Sequence, residues 1–368
     1  MVSIAISFFV MILAVAISSG FRHSLRDGVS SITGDIRITD ADMNVTGEDN
    51  AICQNLSIEK EILDIKGVEK ISPVVMRAGV VSSGGLVHGI LVKGVESADS
   101  SLTVSVPRRL ATILSLGVGD SMVTYFIGEK VKVRRFKVGN IYDSLVQMDD
   151  ELIVYAPISD MRRLNQWDED EASALEITLD SRHRSRKRLN DCSGRVGTML
   201  LTSSDEGEQE LVCSSAVNSF PQIFDWLDLL DFNVAVILIL MTVVAGFNMI
   251  SGLLILLFRN IPTIGLLKTL GMRDRSIGKV FVRVASNIVL KGMLIGNAFA
   301  VLFCAVQGMT HLIKLNPENY FVPYVPVHLN VPGIIAADLL AYSAIVALLL
   351  IPTLFISKVD PAETVRVN

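Results

Sequence analysis

The chain lacks the residues that most enzyme classes need. No G-x-x-x-x-G-K-[ST] occurs in its 368 residues, so it offers no backbone cradle for a nucleoside triphosphate. H-E-x-x-H and G-x-S-x-G are also missing, which removes the zinc-protease and serine-hydrolase signatures. The four cysteines, Cys53, Cys192, Cys213 and Cys304, form no C-x-x-C pair and no Cys/His cluster, so no metal is indicated. Aromatic residues are only 6% of the chain, and no basic tail or basic–aromatic interleaving suggests nucleic acid. Gly119-Asp120 looks like half of an aspartyl site but lies in a turn-rich stretch with no partner carboxylate. We expect no catalytic residue, no metal and no cofactor in this chain.

What the chain has is long uncharged runs. Half of its residues are hydrophobic and the mean hydropathy is +0.49, the composition of a multi-spanning membrane protein. Four runs qualify as spans: 1–21, 233–258, 284–310 and 331–357. The second would be roughly 39 Å long as a helix, more than a hydrocarbon core of about 30 Å requires. The third carries only Lys291 and the fourth only Asp338. No positive n-region precedes the first run, so it reads as a retained span rather than a cleaved signal peptide. The expected fold class is a multi-pass α-helical membrane protein with four transmembrane helices and a large α+β extracytoplasmic domain, 22–231, between helices 1 and 2.

Orientation follows from the short connections. The 259–279 hairpin holds Arg259, Lys268, Arg273, Arg275 and Lys279 against Asp274 alone, whereas the 311–330 loop balances Lys314 with Glu318. The positive-inside rule puts the hairpin and the 358–368 tail in the cytoplasm and the large domain outside. Within the hairpin, Asn260 is a candidate cap and Pro262 sits near the first helical position. Ile264, Leu267 and Leu270 share a face, Lys268 lies off it, and Gly271 ends the helix. Asp274 or Ser276 starts the next. A two-turn helix with an apolar stripe must bury it, against the membrane surface, the base of its own spans, or a groove on a cytoplasmic partner.

The 22–231 stretch mixes short alternating segments with a few helices. Strands are expected at 35–39, 68–83 (as a pair), 87–95, 122–127, 130–141, 151–155, 174–179, 198–202 and 210–213, and helices at 58–65, 107–116, 157–165 and 184–192. Glu129-Lys130 is the expected tip of a hairpin. Cys192 and Cys213 are the nearer cysteine pair outside the membrane, where a disulfide is permitted, though free thiols fit as well. The basic run 182–188 reads as a solvated helix face or as a dock for an acidic partner. Residues 220–230 read as an interfacial helix anchored by Trp226, or as an amphipathic helix packed under the domain. Gly292-x-x-x-Gly296 allows close helix packing, within the chain or with a second membrane subunit.

One stretch resembles a known family. MISGLLILLFRNIPTIGLLKTLGM, with Ile264, Gly265, Leu267, Lys268, Leu270 and Gly271 at its motif, is similar to the cytoplasmic signature of permeases of lipoprotein-releasing ABC transporters, the LolC/LolE family. VAISSGFRHSLRDGVSSITGDIRIT, FPQIFDWLDLLDFNVAVILILM and KGMLIGN agree, so the resemblance covers essentially the whole chain. It extends more loosely to macrolide-efflux and cell-division permeases. Two departures stand out: Arg259-Asn260 replaces an acidic–basic pair, and no leader precedes the first span.

The resemblance implies an inner-membrane permease that releases lipoproteins. ATP would be bound and hydrolysed by a separate cytoplasmic ABC ATPase dimer docked on the 259–279 hairpin. The other implied partners are a second permease subunit, lipoprotein cargo, a periplasmic lipoprotein carrier and membrane lipids; no nucleic acid is expected. Alternatives are a force-relaying cell-division-type permease, a macrolide-type efflux permease, and a membrane-anchored receptor or scaffold without an ATPase.

Overall fold

The structure is a computed structural model that describes residues 1–42, 51–83, 86–96, 101–128, 130–144, 152–203, 210–316 and 320–353. Glu129, Glu151, Glu318, the end of the fourth expected span at Ser357 and the 358–368 tail lie outside those residues. Two compact units account for the chain: Met1–His23, Trp226–Leu315 and Tyr324–Asn368 form a helical unit, and Ser24–Asp225 with Asn316–Pro323 forms a sheet unit.

The elements run in order as α1 (Val2–Thr33), β1 (Ile36–Asp40), β2 (Ile52–Cys53), α2 (Glu59–Leu63), β3 (Val68–Ser83), β4 (Leu86–Val95), β5 (Thr103–Pro107) and α3 (Arg108–Ile113). Next come β6 (Ser121–Phe126), β7 (Lys132–Tyr142), β8 (Ile153–Pro157), α4 (Ile158–Asn165), β9 (Glu171–Ala172), β10 (Ala174–Leu179), α5 (Arg186–Ser203), β11 (Leu211–Ser215) and α6 (Ala216–Ser219). The chain then returns to long helices: α7 (Pro221–Arg259), α8 (Ile261–Thr269), α9 (Asp274–Thr310), α10 (Val331–Leu348) and α11 (Leu350–Thr353). Among the described residues, four helical segments are long and apolar enough to cross a membrane: Val2–Thr33, Pro221–Arg259, Asp274–Thr310 and Val331–Thr353.

In the sheet unit, nine strands run in the order β11-β1-β10-β3-β4-β8-β5-β7-β6 among the described residues, and β6 pairs again with β3. That last pairing closes six strands into a barrel and leaves β10, β1 and β11 as a wing. β3 belongs to both parts. Its first half pairs with β10, from Leu179↔Val68 to Ala174↔Val74, and its second half pairs with β4 and β6. The expected strand pair at 68–83 is therefore one 16-residue strand. Its lack of turn chemistry reflects continuity. The barrel is filled by Val75, Val81, Val92, Val106, Phe126, Phe136, Val138 and Val154, with Leu110, Met161 and Leu164 from α3 and α4. The expected strand at 198–202 is instead the last part of α5, which extends the basic helix to Ser203. Thr198 and Thr202 donate their hydroxyls to the carbonyls four residues back, Gly194 and Thr198, so the β-branched residues are held in helix.

The C-terminal end of α1 is gripped by the sheet unit. Lys93 Nζ donates to the Ile32 and Ser31 carbonyls at 2.9 and 3.3 Å and to Glu176 at 2.7 Å. Arg37 donates to Ile32 O at 3.2 Å and to Glu176 at 3.0 Å, and the Tyr155 hydroxyl reaches Ser31 O at 3.2 Å. Cations at the carbonyl end of a helix satisfy its orphan acceptors and complement its dipole. Burial pushes the Lys93 ammonium below its ordinary value, with Glu176 opposing the shift and Arg37 adding to it. Arg184 adds a second tie by pairing with Asp27 at 2.7 Å and Asp35 at 3.0 Å. That accounts for one residue of the basic run: Arg184 is an internal strut and not part of a solvated face.

In the helical unit, Ile4, Phe8 and Met11 of α1 share a core with Ala245, Met249 and Leu253 of α7, Ala285 and Val289 of α9, and Ala341 and Ile345 of α10. Gly292 and Gly296 are both buried. A Cβ at Gly292 would fall 2.9 Å from the Ile4 side chain, and one at Gly296 would fall 2.4 Å from the Ala5 carbonyl. Within this chain the two glycines receive α1. The expected interfacial helix at 220–230 is not a separate element. Residues 221–230 are the first turns of α7, continuous to Arg259. Trp226 packs edge-on against Phe21, ring centroids 5.3 Å apart. One step along, Asp231 accepts from Ser18 Oγ at 3.0 Å and pairs with Arg22. All four cysteines are free thiols: Cys53 is exposed, Cys213 half-buried, and Cys192 and Cys304 buried. Burial pushes Cys213 up to about 11.

Candidate functional site

The hairpin between α7 and α9 is built from local rules. Pro262 lies in the first turn of α8, where a missing N–H leaves nothing unsatisfied. Asn260 does not cap α8 with its side chain; its amide donates back to Leu256 O at 2.7 Å and finishes α7 instead. At the other end Gly271 adopts φ +85. Its N–H bonds Lys268 O at 2.9 Å while Met272 N–H bonds Leu267 O at 3.0 Å. This paired arrangement is the Schellman motif, and it requires a residue tolerant of positive φ. α9 then starts at Asp274, an acid at the positive end of a helix.

Two faces of α8 have separate jobs. Ile264 is 1% exposed and packs with Leu257 of α7, Ile277 of α9 and the half-buried Leu267 and Phe281. Gly265 is buried beside it. Lys268 folds onto Asp274 at 3.0 Å, with only 10% of its side chain exposed. These contacts fasten α8 to the feet of α7 and α9. The expected stripe of Ile264, Leu267 and Leu270 is split by the structure. Leu270 is 76% exposed and lies outside the Ile264 cluster. Its neighbour at helical spacing is Leu266, 58% exposed, with Pro262 exposed one turn earlier. The outward stripe is therefore Pro262, Leu266 and Leu270, at i, i+4 and i+8, extended by exposed Met272. Reading the sequence at spacing four from Pro262 would have found it. Arg259, Arg273, Arg275 and Lys279, in the segments that flank α8, are all exposed.

The stripe is an exposed apolar surface on a two-turn helix braced to α7 and α9. Among the described residues, no group of three or more His, Cys, Asp or Glu side chains gathers as a metal site.

The family described as FtsX-like permease C-terminal matches residues 235–361, which include the hairpin. The lipoprotein-releasing system transmembrane protein LolC of Xylella fastidiosa is 22% identical over 99% of this chain and 92% of that protein. LolE of Haemophilus influenzae is 21% identical over 98% of this chain and 92% of its own length. Among solved structures, the periplasmic region of MacB from Actinobacillus actinomycetemcomitans covers 54% of this chain and 94% of that one, with 12% identity and a TM-score of 0.33. Over nearly its whole length the chain is similar to the LolC and LolE permeases of lipoprotein-releasing systems, and its C-terminal third matches the FtsX-like permease family.

Proposed function

We propose that this permease releases lipoproteins from the inner membrane toward the outer membrane, driven by ATP hydrolysis in a separate cytoplasmic ABC ATPase. The observation that carries the reading is the outward stripe of Pro262, Leu266 and Leu270 on a helix that Ile264 and the Lys268–Asp274 pair fix to α7 and α9. An ATPase that grips the stripe moves both long helices through that brace. A second permease subunit, identical or homologous, completes the transporter, and a periplasmic carrier takes the cargo. The sheet unit faces the periplasm in this reading, because the cationic hairpin belongs on the cytoplasmic side.

The names of the full-length relatives support lipoprotein as cargo. The test is co-purification of a P-loop ATPase with the full-length permease. Leu270→Asp places a charge on the outward stripe without touching the Ile264 cluster, so the ATPase should be lost while the permease stays folded. Retention of the ATPase on Leu270→Asp would remove the hairpin from the interface. A captured ATPase without any ATP-driven release of lipoprotein from vesicles would move the reading to a force-relaying permease.

A further inference from the structure

We infer that Asp338 and Asn297 form a proton-binding site between α10 and α9, with Asp338 held as the neutral carboxylic acid and its O–H donating to Asn297 Oδ1. The inference stands on the helical unit alone and is independent of what the permease carries. Asp338 is the only acidic or basic residue between Val331 and Thr353, a segment apolar and long enough to cross a membrane. At ~1.5 Å per residue it lies about 10 Å along the helix from Val331. A carboxyl at that depth is rare and marks a site with a specific partner.

The partner is Asn297, whose Nδ2 donates to Asp338 Oδ2 at 2.5 Å. The other two oxygens of the pair, Asn297 Oδ1 and Asp338 Oδ1, are both buried, and neither has a hydrogen-bond partner among the described residues. An ionised carboxylate only accepts, so the charged pair would hold two acceptors with no donor between them. Polar groups left so in a bilayer are expensive. One proton on Asp338 Oδ1 supplies the missing donor. Amide and carboxylic acid are then complementary, each donating once and accepting once, and a single proton satisfies both orphaned oxygens.

The helices packed in this unit offer no cation in place of the proton. α1 is uncharged up to Phe21, and α7 is uncharged from Asn233 to Phe258. On α9 the residues from Asn297 to Thr310 carry no charge. Lys291 and Arg283, on its other side, are exposed and lie roughly 9 and 21 Å from Asn297 along the axis. The other titratable groups on α9 and α10 are buried Cys304 and Tyr342, whose hydroxyl pairs with Ser286 Oγ at 2.5 Å. That hydroxyl pair needs no added proton, since each member both donates and accepts. The proton is therefore held while α9 and α10 are packed, and parting them exposes the carboxyl to water, which takes it. The contact is a latch that closes by binding one proton.

The experiment is infrared difference spectroscopy on the full-length permease in lipid nanodiscs at neutral pH, wild type against Asp338→Asn. The wild type should show the C=O band of a carboxylic acid, and Asp338→Asn should lose it. Asn297→Leu, which removes the acceptor, should shift the band to higher frequency. Thermal unfolding gives a second readout. The amide of Asp338→Asn reproduces both hydrogen bonds without a charge, so this variant should melt with the wild type. Asp338→Leu should melt lower, because Asn297 loses both partners. A carboxylate band in place of the acid band, the result of an ionised Asp338 bridged by water, would overturn the assignment. So would a C=O band unmoved by Asn297→Leu, or Asp338→Asn melting as low as Asp338→Leu.

Discussion

Replacing Gly296 with leucine tests whether the small-residue stripe of α9 belongs to this chain's own packing. The added Cβ alone would lie 2.4 Å from the Ala5 carbonyl oxygen and 3.0 Å from both Phe8 Cβ and the Phe9 nitrogen. Two of those three obstacles are helix backbone, which cannot rotate away, so α1 must shift off α9. Overpacking costs about 1–3 kcal/mol, and a rigid obstacle puts this site at about 3 kcal/mol. Leucine in place of glycine returns about 1 kcal/mol of helix propensity. The net loss of about 2 kcal/mol should lower the melting temperature by about 4–8 °C. Gly252→Leu is the matched control, because nothing lies within 4 Å of its Cβ position; it should melt at or above the wild type. Cys304 is 1% exposed on the same helix as Gly296, so a thiol-reactive dye reports when α9 is uncovered. If Gly296→Leu melts like the wild type and instead loses its companion permease, the stripe is an intermolecular contact and the reasoning fails.

Two further outcomes follow from the sheet unit. Lys93→Met should destabilise it by about 3–5 kcal/mol, since Glu176 keeps a buried charge with one partner gone. Because the two residues share one network, Lys93→Met with Glu176→Gln should cost less than the sum of the single changes, read by thermal unfolding of the full chain. Maleimide should modify exposed Cys53 first at neutral pH. Cys213, held near 11 by burial, should react slowly and speed up roughly tenfold per pH unit up to that value, because only the thiolate attacks. Mass spectrometry of a timed series separates the two, and equal rates at pH 7 would contradict the burial of Cys213.

The helical unit was legible because its signals are local. The long uncharged runs around Asn233–Phe258 and Val284–Thr310 mark α7 and α9, and Gly271 and Pro262 mark the ends of α8 by positive φ and a missing donor. Errors arose where distant residues decide. Val68–Ser83 alternates the same way whether it forms one strand or two, and only its pairing with β10, β4 and β6 fixes the answer. The Lys93–Glu176–Arg37 network joins strands far apart in sequence; its one local trace is a charge inside otherwise apolar runs such as LVKGV. Ile264, Leu267 and Leu270 follow one periodicity, and only packing against α7 and α9 separates the first two from exposed Leu270.

The account's central claim is that the hairpin meets the cytoplasm while the sheet unit faces the other side. It is tested by a membrane-impermeant maleimide on right-side-out and inverted vesicles carrying Leu270→Cys, with native Cys53 as the internal reference. Both positions are exposed. Cys53 should be labelled in right-side-out vesicles only and the cysteine at 270 in inverted vesicles only. Labelling of position 270 from the outside, with Cys53 protected there, would contradict the account.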